Sequence, residues 1–390
     1  MWIDYRYLRT RKWMPIWKRL LWWVPCILML IYTSWLASQT SFIPQNLLWI
    51  DIYMWLLGLL VIPKAVFSLF TFVAWLFNRN RIRKRYLSEW LGGIAAVCSA
   101  VGFAYGLTFG FSRIETKHID LYFDSLPSDF EGFRIVQVSD LHVGGYTGSR
   151  RNVLKQAVDS VEAQKADIVC FTGDLQNVTP DEVERVGDVL KRMSNVYSVL
   201  GNHDYADYAF FRDEKRGERG EKLVQKMRDV QRNVLGFDLL ENENRHITRA
   251  DSSQAIYIVG TGNYSKPPKS PDKPSYDYSD ITKAMKGVPK DAFVIMLQHN
   301  PQAWKDIILP FADTNNMAPK ISLTLSGHTH GGQIGAGPLR PTRISYTEDK
   351  GLYKENGSLL YVTSGVGGLV PLRLGVPPEI VVITLHKKNL

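Results

Sequence analysis

The chain has 390 residues, room for about two domains, and a formal net charge of +9 that is confined to its first third. Residues 1–112 hold 12 of the 47 basic and three of the 38 acidic residues; the rest carries 35 of each, so the high isoelectric point does not signal nucleic-acid binding. Three cysteines, Cys26, Cys98 and Cys170, show no CxxC spacing and exclude a disulfide framework.

Three apolar stretches open the chain: Leu20–Ala37, Leu47–Phe77 and Trp90–Phe111. The first and third are close to the roughly 20 residues that cross a bilayer core, and no small-residue cleavage site marks the first as a signal peptide. The second is too long for one upright helix and carries Pro63 and Lys64, which fits one tilted, kinked span or a short hairpin. Ten of the eleven tryptophans lie at or before Trp90, as expected of indoles at bilayer interfaces. The N-terminus and the loop Arg79–Arg85 are basic while Ser38–Asn46 is uncharged. Cytoplasmic loops collect Lys and Arg, so three spans place the N-terminus inside and everything after Phe111 outside. The expected division is therefore a membrane anchor over 1–112 and a soluble domain over 113–390, which contacts the bilayer but no nucleic acid.

From about residue 120 short apolar runs alternate with amphipathic stretches. Strands are predicted at Phe133–Val138, Asp167–Phe171, Val196–Leu200, Phe293–Leu297, Ile321–Leu325 and Leu359–Thr363, and helices at Arg150–Gln164, Pro180–Met193, Glu221–Leu235 and Gln302–Phe311. Buried strands interleaved with helices predict an α/β or α/β/β layered domain. The densely charged Asp207–Arg232 reads as a solvated helical insertion, and Lys266–Pro274 as a surface loop.

The informative residues are those at the strand ends: Ser139-Asp140-Leu141-His142, Thr172-Gly173-Asp174, Gly201-Asn202-His203-Asp204, Gln298-His299-Asn300-Pro301 and Ser326-Gly327-His328-Thr329-His330. Open α/β sheets build sites at the carboxyl ends of their strands, so these loops converge on one rim. Five of the eight histidines lie in them. In an extended backbone residues two apart face the same way, so His328 and His330 are expected to approach one centre together. Imidazoles, carboxylates and an amide without thiolate suit Mn, Fe, Zn or Co better than Mg alone. Two such ions clamp a phosphate, and a short carboxylate such as Asp174 fits between them.

The ordered series Asp140-x-His142, Gly173-Asp174, Gly201-Asn202-His203-Asp204, His299 and Gly327-His328-x-His330 resembles the calcineurin-like metallophosphoesterase superfamily. The stretches Phe130–Val136, Gly331-Gly332-Gln333, Gly365–Gly368 and Arg373–Glu379 resemble its membrane-associated YaeI/YkuE-like phosphodiesterase branch. The resemblance implies a four-layer α/β/β/α sandwich, here behind an all-α transmembrane anchor in a bacterial inner or plasma membrane. It implies that Asp140, His142, Asp174 and His330 hold one divalent metal, and that Asp174 bridges to a second completed by Asn202, His299 and His328. His203 then contacts the phosphate and protonates the leaving oxygen, with Asp204 orienting it and raising its pKa. Many members place a second acid shortly after Gly-Asp; here Asn177 stands instead, as a possible hydrogen-bonding partner.

The expected activity is hydrolysis of a phosphate ester, a phosphodiester of a lipid or envelope substrate, by metal-activated hydroxide. A narrower alternative is a UDP-2,3-diacylglucosamine pyrophosphate hydrolase of lipid A synthesis, whose cytoplasmic substrate conflicts with the expected topology. A non-catalytic binding protein with a degenerate phosphoesterase domain is disfavoured because none of the seven ligand positions nor His203 is lost. Arg340, Arg343 and Arg373 are candidates to grip a phosphate or to serve as structural arginines; His118, His246 and His386 match no motif.

Overall fold

The computed structural model describes residues 1–9, 14–39, 44, 46–78, 82–210, 217–249, 254–268, 275–314 and 319–388; of 78, 82–86 and 312–314 only the backbone is described. Parts of the sequence-assigned loops Ser38–Asn46, Arg79–Arg85 and Lys266–Pro274 therefore lie outside the described residues. The chain divides into two compact units, Met1–Gly110 and Phe111–Leu390.

The first unit holds three helices long and apolar enough to cross a membrane: Ile16–Ala37, Leu48–Phe77 and Leu87–Gly110. Leu48–Phe77 is one continuous helix of 30 residues, not a hairpin. A π-turn at Leu57–Val61 precedes Pro63, where the missing amide hydrogen interrupts the helical ladder. Its outer surfaces carry exposed Leu20, Leu28, Leu30, Leu69, Phe77, Trp90 and Val97. A water-facing helix would carry polar residues on such faces.

The second unit is built on two six-stranded sheets. The first contains β1 (Glu115–Phe123), β2 (Phe133–Val138), β3 (Ile168–Phe171), β4 (Val196–Ser198), β5 (Asp238–Leu239) and β12 (Glu379–Lys387), in the order β1-β12-β2-β3-β4-β5. The second contains β6 (Glu243–Thr248), β7 (Ala255–Gly260), β8 (Phe293–Leu297), β9 (Ile321–Ser326), β10 (Gly351–Glu355) and β11 (Ser358–Val362), in the order β10-β11-β9-β8-β7-β6. β2 through β5 run parallel, as do β7, β8, β9 and β11, so the carboxyl ends within each set share one side of their sheet.

Period-two alternation sorts the core into layers. Ile135 of β2 and Ile295 of β8 face a cluster between the sheets, with Cys170, Ile258, Leu323 and Ile383. Their neighbours Val136 and Val294 point outward. Val136 meets Leu154, Val158 and Val161 of the helix Arg151–Ala163; Val294 joins Trp304 and Ile308. The result is the α/β/β/α sandwich. Helix Gly217–Asp229 corrects the expectation of a solvated insertion: Val224 and Met227 are buried in the outer cluster, so only its charged face meets water.

Candidate metal centre

The site is assembled where β2, β3, β8 and β9, and the loop after β4, end. Asp140, His142, Asp174, His328 and His330 all have left-handed backbones, with φ between 46° and 72°. L-residues occupy that region at a cost, and such strain persists where the surroundings over-determine it. Close approach requires glycine at several positions, among them Gly201, where a Cβ would overlap the Asp174 carboxylate, and Gly367, where it would overlap the Leu141 carbonyl. Buried Gln137 ties the floor together, donating from Nε2 to Ser326 O at 2.9 Å, across from β2 to β9.

All seven sequence-proposed ligands are brought together. His142 Nε2 lies 3.3 Å from His330 Nε2, and His330 Nε2 lies 3.5 Å from Asp140 Oδ1. On the other side His299 Nε2 and His328 Nδ1 are 3.1 and 2.8 Å from Asn202 Oδ1 and 3.2 Å from each other. Asp174 stands between the groups: its Oδ2 is 3.5 Å from His142 Nε2 and 3.2 Å from His299 Nε2. Two clusters with ligand atoms within 4.8 Å result, Asp140–His142–His330 and Asp174–His299–His328. Lone pairs of four imidazoles, two carboxylates and an amide converge with no thiolate, a donor set that fits divalent cations.

Electrostatics agree with a site made for positive charge. Burial pushes the Asp140 carboxyl up to about 6 and His142 down to about 3. Burial also acts to raise Asp174, but the nearby histidines, His299 first, hold it well below the usual range. Burial acts to lower His299, and the Asp174 charge overrides it to bring the ring up to about 9. The proton on His299 thus stands in for a cation beside Asp174, while burial keeps His142, His328 and His330 neutral with lone pairs free to ligate.

Two expectations need correction. His328 and His330 reach the centre, but not on an extended backbone: both are left-handed, and they enter different ligand clusters. Nor does Asp204 orient His203. Its fully buried carboxylate accepts backbone amides of Asp174, Leu175, Gln176 and Gly201 at 2.9–3.2 Å, which makes it the knot joining the β3 and β4 loops. His203 instead directs Nδ1 to the Asn177 carbonyl at 2.7 Å, and burial lowers its pKa. His203 also lies with His142 and Asp174 in a third possible ligand group.

Several neighbours escaped sequence reasoning. Tyr208 stacks on His203, 4.0 Å between centroids, and accepts from Asn202 Nδ2; the Tyr346 hydroxyl lies 2.8 Å from His328 Nε2. A lone tyrosine beyond a motif carries no sequence signal. Asn177 contributes its backbone carbonyl, and buried Glu182 accepts the amides of Asn177, Val178 and Thr179. Arg373 is buried and donates to the carbonyls of His330, Ser364, Gly365 and Gly367, a clamp on the Gly-rich loops. Arg340 is held bidentate by buried Asp349 at 2.6 and 2.8 Å, while Arg343 stays half-exposed.

A histidine, aspartate and asparagine centre on the rim of a four-layer α/β/β/α sandwich defines a metallophosphoesterase. Residues 133–332 match the family model for calcineurin-like phosphoesterases, and the chain belongs to that family. It is similar to the uncharacterized metallophosphoesterase YkuE of Bacillus subtilis, 28% identical across 79% of this chain and 98% of that protein. It is similar also to a Danio rerio transmembrane protein with metallophosphoesterase domain, 28% identical across 75% of this chain and 62% of that one. The UDP-2,3-diacylglucosamine pyrophosphatase LpxG of Chlamydia trachomatis is 28% identical across 66% of this chain and 85% of its own length.

Proposed function

We propose that the chain is a membrane-anchored two-metal phosphoesterase that hydrolyses a phosphodiester of a lipid or envelope substrate. The observation that carries this is the position of Asp174, one carboxylate oxygen within 3.5 Å of histidines from both clusters. In this assignment Asp140, His142 and His330 would hold one cation, Asn202, His299 and His328 would hold the other, and Asp174 would serve both. Bound divalent ions, Mn, Fe, Zn or Co, supply positive charge for the phosphate and lower the pKa of water.

The remaining work falls to the protein. A carbonyl only accepts, so Asn177 fixes the His203 tautomer with hydrogen on Nδ1 and leaves Nε2 as the basic nitrogen; a proton taken up there from solvent would form the imidazolium and pass to the leaving oxygen, returning the neutral ring. Tyr208 packs flat on the ring and limits its rotation. The three apolar helices supply the anchor, and the basic N-terminus and 79–85 segment favour a cytoplasmic N-terminus with an external catalytic unit.

Full-length protein is assayed with bis(p-nitrophenyl) phosphate and p-nitrophenyl phosphate, with Mn²⁺ and with EDTA, beside Asp174→Ala and His203→Ala. Metal-dependent turnover of the diester, lost in both variants, supports the proposal; metal-loaded protein inert on every phosphate ester tried, lipid esters included, contradicts it. The similarity to LpxG favours a second reading, UDP-2,3-diacylglucosamine pyrophosphate hydrolysis. Finding residues 113–390 on the cytoplasmic side, with release of UMP from that substrate, would select it.

A further inference from the structure

Seven large apolar side chains of Phe111–Leu390 are exposed among the described residues, and three of them, Ile334, Leu339 and Ile344, lie within eleven residues of one loop. Ile344 at 91% and Leu339 at 76% are the two most exposed of the seven. A soluble surface scatters such residues singly; several on one short loop point to contact with an apolar partner.

The loop is held, so these side chains are presented outward by a fixed frame. Buried Asp349 accepts from Arg340 and from Thr342 Oγ1 at 3.1 Å, and its carbonyl accepts from Thr329 Oγ1 at 2.5 Å. Ala336 and Leu339 close a two-way backbone turn, and Gly335 N donates to Leu374 O. The frame ends at the metal centre: Tyr346, two residues beyond Ile344, contacts His328. Arg343 beside Ile344 keeps its guanidinium half in water, 3.9 Å from Asp349. Arg340 already matches that carboxylate, so Arg343 leaves a net positive charge next to the apolar tips.

We infer that the loop 334–346 is a membrane-contact element, with Leu339 and Ile344 entering the headgroup boundary of a bilayer and Arg343 meeting lipid phosphate. Two bulky apolar tips flanked by an arginine match an anionic lipid surface, where apolar burial and electrostatic attraction add. Four residues separate Gly110, where the last apolar helix ends, from β1 at Glu115, so inserted helices keep this unit within reach of lipid. This rests on the proposed anchoring and deepens the proposed substrate class: the loop would seat the metal centre at the level of lipid phosphates.

The test uses the full chain with Cys26→Ser, Cys98→Ser and Cys170→Ala, reconstituted in phosphatidylglycerol-containing nanodiscs. An environment-sensitive fluorophore is placed on Ile344→Cys, on Leu339→Cys, and on Tyr122→Cys and Val234→Cys as exposed controls. Blue-shifted emission quenched by spin-labelled lipid at 344 and 339, at least threefold above the controls, is expected. Adding Arg343→Glu should weaken quenching in anionic but not in neutral nanodiscs. Quenching at 344 and 339 no greater than at the controls overturns the inference. The readout needs no turnover, so failure of the phosphodiesterase assay with quenching intact would sink the reaction and leave the membrane contact standing.

Discussion

The Asn177 carbonyl lies 2.7 Å from His203 Nδ1 and holds the hydrogen there, which leaves the second nitrogen for the proton transfer proposed for this residue. His203→Ala should lower kcat by roughly 10²–10⁴-fold, the usual contribution of a positioned acid, while metal content measured by mass spectrometry stays unchanged. Glu182 stands one step behind it. Its carboxylate accepts three consecutive amides that set the Asn177 carbonyl, and burial pushes it up from 4.5 to about 7. A carboxyl whose folded pKa is raised contributes stability fully present below its unfolded pKa and lost as pH rises through the folded value. Thermal stability of the chelated protein should therefore fall between pH 5 and pH 8, and Glu182→Gln should flatten that fall. An identical pH dependence in the variant would remove Glu182 as its source. Asn177 was expected as a hydrogen-bonding residue, but it acts through its backbone carbonyl, which leaves no motif, whereas Asp204 sits next to His203 in the chain and binds elsewhere.

At the scale of elements, the strands that carry the ligands were legible because they are the central ones. β3 and β8 are covered on both faces and read as unbroken apolar runs, whereas β9, buried throughout, alternates Ile321, Leu323 and Leu325 with Ser322, Thr324 and Ser326. β1, β6 and β10 lie at sheet edges and are polar: His118 and Asp120 in β1, Arg245 and His246 in β6, Lys354 in β10. Their pairing comes from tertiary contacts, so periodicity missed them. β12 is long and apolar on both faces but had no motif after it to draw notice. The loops were legible as a set of motifs, yet their left-handed backbones were not, which is why the extended pairing of His328 with His330 failed. Gly367 tests the loop packing: Gly367→Ala forces a Cβ onto the Leu141 carbonyl beside His142. Overpacking of this kind costs about 1–3 kcal/mol, so the variant should show a lower thermal midpoint and weaker metal retention in dialysis.

For the whole molecule, the three long apolar helices and the sandwich fall in two units, and the sequence divides between them in charge, tryptophan content and hydropathy. Chelation should act on the second unit. A ligand bound only by the folded state adds about 2.7 kcal/mol at a hundredfold excess over its Kd, so EDTA should lower the unfolding midpoint of wild-type protein by more than that of Asp174→Ala. The proposed pair of cations joined by Asp174 can be counted as metal content per chain. Purified full-length protein loaded with Mn²⁺ should hold two ions per chain, and Asp174→Ala at most one. A fully active wild-type protein with a single ion, or an Asp174→Ala variant that keeps both, would contradict it.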